Sequence, residues 1–374
     1  MQYGLRFTLY TFLTYILIGS IEQSEASSDD WLSFRGNPQL TGVATAELPE
    51  NLELLWILET EDGIESTAAI AAGTVYVGTL DGYLYAINLE NGELKWRYQA
   101  SGEIKSSPTV RSNVVYFGDG MGVFHAVDAQ TGESKWTFET EAEIISSANV
   151  AQDRLLFGSY DQFLYCLSAE DGSLVWKFET EGYVHGTPAI VNGAVVISGC
   201  DGYLRIINIT DGVEQQKIAL GDYVAASPAI LNNRAYAGTF GNQVLCAGLE
   251  NSEILWGYEH PERHFPFYAS AAVTADIVVI GGRDKMVHAL SSPTGEPLWI
   301  YPAKSRVDSS PVIVDERVFF GTVGGELVAL NLNSGEKVWD FVVGAAIIAS
   351  PSVVDRKLVI GADDGRIYCF GKGE

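Results

Sequence analysis

The chain has 374 residues and a formal charge of −25, from 48 acidic against 23 basic side chains. That balance argues against a nucleic-acid or anionic-membrane surface, because both need clustered positive charge. Four cysteines are present and the first stands only at residue 166.

In chain order, residues 1–26 read as an export signal. Arg6 lies in a short basic start, Phe7 to Ile18 is apolar, and Ser24-Glu25-Ala26 has the small-x-small form of a cleavage site. The apolar stretch is shorter than the about 20 residues of a membrane span. The expected product is exported, periplasmic or extracellular, with no membrane insertion of the mature chain. With no cysteine at its start, it is expected not to be lipid-anchored. Whether the signal is cleaved or kept as an anchor stays open. Residues 27–51 form a lead-in segment, expected to pack on the repetitive region of residues 52–374.

The repeat is legible in one triplet. Ser106-Ser107-Pro108 recurs as Ser146-Ser147-Ala148, Gly186-Thr187-Pro188, Ala226-Ser227-Pro228, Ser309-Ser310-Pro311 and Ala349-Ser350-Pro351, with looser copies at Ser66-Thr67-Ala68 and Ala269-Ser270-Ala271. The third members stand at 68, 108, 148, 188, 228, 271, 311 and 351, a spacing of forty broken once by forty-three. A period of this size marks units that need neighbours to cover their apolar faces. Within one unit, Ser106–Val110, Val114–Gly118, Val123–Val127 and Ser134–Phe138 read as short strands, separated by Ser112-Asn113, Asp119-Gly120 and Thr131-Gly132, which suit tight turns. The fold class expected is all-β: an eight-bladed β-propeller of four-stranded antiparallel blades.

The outer strand of most units carries tryptophan: Trp96, Trp136, Trp176, Trp256, Trp299 and Trp339. Trp56 precedes Trp96 by forty residues, yet no complete blade precedes it, while the eighth unit stops at Phe370 before its own outer strand. Leu54-Leu55-Trp56 is therefore expected to supply that strand and close the ring, removing exposed edges. The seven indoles are expected to dock neighbouring blades. Gln216 holds the eighth position, marks the weakest seam, and predicts that Gln216→Trp is neutral or stabilising. Cys166, Cys246 and Cys369 share a small interior slot with Ala86, Ala126, Ile206, Ala289 and Ala329, in blades that do not touch. With Cys200 in a hairpin turn, four free thiols are expected.

Units of the form Gly-x-x-Asp-Gly-x-Leu-Tyr-Ala, here Gly78 to Asn88 through Gly92 to Trp96, resemble the pyrroloquinoline-quinone (PQQ)-type propeller repeat. The resemblance covers roughly residues 52–370. Trp31-Leu32-Ser33-Phe34-Arg35-Gly36-Asn37-Pro38 with Thr41-Gly42 resembles the lead-in that exported members place before blade 1. The family has a dehydrogenase branch and a noncatalytic branch that includes the BamB lipoprotein of outer-membrane assembly. The first implies PQQ with calcium, a vicinal cysteine pair, a base carboxylate and a stacking tryptophan. Here no two cysteines are adjacent, and the ring expected at the channel mouth (Glu65, Lys105, Ile145, His185, Ala225, Tyr268, Asp308, Ile348) has only two carboxylates. The second implies compact blades with no cofactor, although the lipid-acceptor cysteine is missing.

The irregular spacing falls on Glu259-His260-Pro261-Glu262-Arg263-His264-Phe265-Pro266-Phe267-Tyr268. Loops on rigid scaffolds concentrate binding residues, so Arg263, His264, Phe265, Phe267 and Tyr268, with His185 near them, form the candidate partner patch. The alternative is that the loop folds over and buries Phe265 and Phe267. His260 and His264 have zinc-like spacing, but Pro261 and Pro266 disfavour the helix it needs. His125 and His288 occupy a packed strand position, and Asn208-Ile209-Thr210 coincides with a turn. The expected function is a monomeric, noncatalytic binding scaffold for a protein partner in the cell envelope. A PQQ-dependent dehydrogenase and a propeller recognising carbohydrate or another small ligand remain as rivals.

Overall fold

The computed structural model of the protein describes residues 30–373; the export signal expected at 1–26 lies outside them. The strands form eight four-stranded sheets. Blade 1 comprises Ala69–Ala71, Thr74–Gly78, Tyr83–Asn88 and Leu94–Gln99. Its second strand is buried throughout and its third at the four central positions, so both read as apolar runs, whereas the outer strand alternates. The inner strand is only three residues long, because the Ser-x-Pro triplet leads into it rather than belonging to it. Hairpins close where left-handed backbone is tolerated, as at Ser112 and Asn113 with φ of 48° and 62°.

The ring closes as the sequence implies. Glu53–Glu59 pairs antiparallel with Arg366–Gly371, placing Leu54 opposite Phe370 and Ile57 opposite Tyr368. It is the outer strand of blade 8, whose sheet otherwise lies at the far end of the chain.

Seams between blades use the tryptophan column. The Nε1–H groups of Trp56, Trp96, Trp176, Trp256, Trp299 and Trp339 donate to a backbone carbonyl of the next blade at 2.8 to 3.2 Å. The indole lies flat on a turn glycine of that blade. A Cβ built on Gly92, Gly132, Gly172, Gly212, Gly295 or Gly335 would stand 2.5 to 2.8 Å from the ring facing it. Each such glycine also has φ near +73°, so both the close approach and the backbone demand glycine there. Within its own blade each tryptophan stands opposite the small slot, as Trp96 opposite Ala86 and Trp176 opposite Cys166. The cysteine column is thus the space left for an indole, and all four cysteines are free thiols.

The seam after blade 4 departs at three positions together. Gln216 pairs with Ile206 rather than a small residue, and faces Ser252, whose hydroxyl donates to Gln216 Oε1 at 2.6 Å. Ser252 occupies the turn position of those glycines, with φ of 54°. This overturns the expectation for Gln216→Trp: an indole there would meet a Cβ at the distance the other seams exclude.

The lead-in runs along the inner strands of successive blades. Trp31 and Leu32 bond to Ile70 and Val110, the Pro38 carbonyl to Asn149 and Ile190, Gln39 to Ile230, Thr41 to Val273, and Gly42 to Ile313. It touches blades 1 to 7 in order and occupies the axis at one end of the channel.

Candidate functional site

At the other end, the turns joining second to third strands and the loops between blades share one face. The eight residues expected at the channel mouth all line one axial cavity of about 120 Å³, with Phe34 of the lead-in also lining it. One layer below stand Thr67, Ser107, Ser147, Thr187, Ser227, Ser270, Ser310 and Ser350. These hydroxyls form a belt. Backbone N–H groups of Thr67, Ser107, Thr187, Ser227, Ser270, Ser310 and Ser350 each donate to the belt oxygen of the next blade, at 2.8 to 3.0 Å. At the remaining junction Ser146 Oγ donates to the Gly186 carbonyl at 3.0 Å.

The mouth has two unlike halves. Over blades 3 to 6 it is aromatic. Tyr160 and Tyr183 stack at 4.7 Å, with their planes 9° apart. His185 sits between two phenols, Tyr160 at 2.6 Å on Nδ1 and Tyr268 at 3.1 Å on Nε2. Phe240 meets Tyr268 edge-on, and its amide donates to the Tyr223 carbonyl at 2.9 Å. Tyr183 and Tyr223 are 49% and 60% exposed. Burial pushes the His185 imidazole down to about 4, so it is neutral near pH 7. The same cause raises Tyr160 and Tyr268.

The remaining half is charged but compensated. Arg283 lies over the Tyr268 ring at 4.4 Å and grips Asp308 through two hydrogen bonds of 3.0 and 3.1 Å. Arg306 reaches Asp308 at 3.3 Å, and Lys105 pairs with Glu103 at 2.5 Å. Burial lifts Glu65 above the usual carboxylate range, partly opposed by Lys105.

The blade 6 loop does not act as one patch. Tyr268 joins His185 at the mouth. Phe267 is 2% exposed and packs on His288, against the expectation that it contacts a partner. It occupies the column of Ile64, Ile104, Ile144, Val184, Val224, Val307 and Ile347, which the repeat phase reveals once the forty-three-residue step is applied. Phe265 remains 49% exposed, so the alternative of two buried phenylalanines fails as well. Arg263 donates to the Asp284 carbonyl at 2.9 Å and His264 pairs with Glu259 at 2.8 Å, and both residues are exposed. His125 and His288 are packed strand residues, each bonded to an aspartate and a tyrosine. The Asn208 side chain caps its turn through the Thr210 amide.

Residues missed from the sequence are Tyr160, Tyr183, Tyr223, Phe240 and Arg283. Their signal lay in the variable columns of the repeat: Tyr160, Phe240 and Arg283 share one, Tyr183 and Tyr223 another.

A quinone with calcium does not fit this mouth. The cavity is well below the about 300 Å³ of even small ligand pockets, and Asp308 is already saturated by two arginines. Among the described residues no three side chains of His, Cys, Asp or Glu are grouped to hold a metal ion.

The family model described as outer membrane protein assembly factor BamB matches residues 43–150, 143–263 and 250–371. The chain belongs to this BamB family. Among solved structures, BamB from Moraxella catarrhalis gives a TM-score of 0.72 at 18% identity, over 86% of this chain and 100% of that one. Quinohemoprotein alcohol dehydrogenase from Comamonas testosteroni gives 0.79 at 13% identity, over 92% and 81%. The computationally designed Ika8 protein gives 0.77 at 17% identity, over 86% and 100%. At these identities the likeness is one of fold. No curated protein matches the chain. As a BamB-family member the protein shares its wheel with all three structures.

Proposed function

We propose that this chain is an exported, noncatalytic binding propeller of the cell envelope, which docks a protein partner on its mouth face. The observation that carries the reading is the aromatic arc. Tyr183, Tyr223 and Phe240 present rigid, amphipathic rings at the rim, backed by Tyr160, His185 and Tyr268, which neighbouring contacts lock in place. Aromatic side chains held rigid before binding lose little entropy on association and dominate interface energetics. Family membership supports the envelope setting, and the residues at 1–26 support export. Poor fit to a quinone and to calcium disfavours the dehydrogenase rival.

The test combines two measurements on the purified protein. Partner capture from envelope extracts is compared between wild type and a Tyr183→Ala, Tyr223→Ala, Phe240→Ala triple variant, with Arg263→Ala, His264→Ala as the off-site control. Loss in the triple variant alone, by about 100-fold or more for rings acting as anchors, is expected. Dye reduction after incubation with PQQ and calcium is expected to stay at background, and turnover would restore the enzyme reading. The stacked Tyr160–Tyr183 pair also suits a sugar face, and competition of capture by soluble oligosaccharide would favour that reading.

A further inference from the structure

We propose that the axial cavity within the hydroxyl belt binds one small monovalent anion, either a halide or a carboxylate group. Seven of the belt oxygens (Ser107, Ser147, Ser227, Ser270, Ser310, Ser350 and Thr67) each accept a backbone N–H from the preceding blade. None of these seven donates its own hydroxyl hydrogen to a described residue. The belt thus offers a ring of O–H donors to whatever occupies the axis. All eight belt residues are nearly buried and keep a sliver of exposure only where they line the cavity.

The second observation lies beneath. Arg35 of the lead-in is 1% exposed, and its Nη2 donates at 2.9 Å to the carbonyl of Ala271, the residue after Ser270 of the belt. Among the described residues its Nε and Nη1 have no hydrogen-bond partner, and no carboxylate forms an ion pair with it. A buried guanidinium without a counter-charge is costly, and its field reaches far through a low-dielectric surround. Arg35 is not among the residues lining the cavity, but its bond to the Ala271 carbonyl sets this positive charge against the residue that follows Ser270 of the belt. Of the mouth acids, Asp308 is gripped by Arg283 and Arg306, and Glu103 by Lys105. Glu65, which also lines the cavity, is raised by burial, an effect opposed by Lys105. A volume of about 120 Å³ holds a halide or a carboxylate with several waters, each water taking about 30 Å³. The belt lies one layer below the aromatic rim, and His185 and Tyr268 of that rim line the same cavity.

The experiment measures melting temperature at constant ionic strength in sodium chloride, sodium acetate and sodium gluconate, the last anion being too large for the cavity. A saturable rise of about 2–4 °C in chloride or acetate over gluconate is expected. The rise should vanish in Ser270→Ala, Ser310→Ala and in Arg35→Met; the hydroxyl variant keeps the test decisive should Arg35→Met not fold. Crystals soaked in bromide should show an anomalous peak within hydrogen-bond reach of the belt. Equal melting in the three salts, or an unchanged increment in the folded variants, overturns the proposal. A larger chloride than acetate response assigns the site to halide, and the reverse assigns it to carboxylate.

Discussion

Gln216, Ile206 and Ser252 depart together from a pattern kept at the other seams, and the reason is steric. An indole needs a small residue opposite it and a glycine beneath it. Gln216→Trp alone is therefore expected to lower stability by about 1–3 kcal/mol through overpacking. Adding Ser252→Gly should recover most of that loss in thermal melts, and additive effects of the two changes would refute the coupling. The tryptophan column was legible because its period is fixed. Its glycine partners were not read as such, because they sit in the next blade, and sequence phase does not say which turn an indole covers. His185 makes a second residue-scale prediction. The fold holds the imidazole neutral down to about 4, whereas the unfolded chain takes up a proton below about 6.5. The unfolded state thus binds the proton first, so stability is complete above about pH 6.5 and falls toward pH 4, by up to about 3 kcal/mol. His185→Gln should flatten that slope in urea melts across the window; an unchanged slope would show the group titrates freely. Asp119 acts lower on the scale. Burial alone would raise it, but His125 and the Val123 and Ser101 amides outweigh that and hold it low. Its contribution is lost only as pH falls below the usual carboxylate range.

Among the elements, the strand Glu53–Glu59 carries the closure, because without it Arg366–Gly371, whose Phe370 packs on Trp339, would become an unpaired edge. An internal deletion of 53–59 should lower the melting temperature by about 10 °C or more, on the order of a lost packed strand. It should also cause concentration-dependent association by edge pairing. A monomeric, equally stable deletion variant would show that the ring does not depend on it. The blade count and the closing strand were readable because the triplet recurs eight times in phase and Trp56 precedes the first complete unit. The blade 6 loop was not, since composition drew attention to its aromatics while phase determined which of them turned inward. Phe267 fills a core column and Phe265 does not. The lead-in motif was visible as a pattern, but its path past seven blades depends on backbone pairing with inner strands, which leaves no periodic mark.

At the scale of the molecule, identical blades make a symmetric wheel, and function has to come from what breaks the symmetry. The mouth is aromatic over blades 3 to 6 and charged but compensated over the others. The lead-in occupies the axis at the opposite end, with Phe34 reaching the cavity. That leaves one open face on which a large partner can meet rigid rings, and a net charge of −25 that disfavours the approach of a polyanion. The most direct test places a photoreactive amino acid at Tyr183 or Tyr223 on the mouth face, and at Asn91 or Thr131 in turns on the other face. Irradiation in intact envelopes should give a discrete protein adduct from the mouth positions and none from the far turns. Adducts from the far turns alone, or from neither face, would contradict the account.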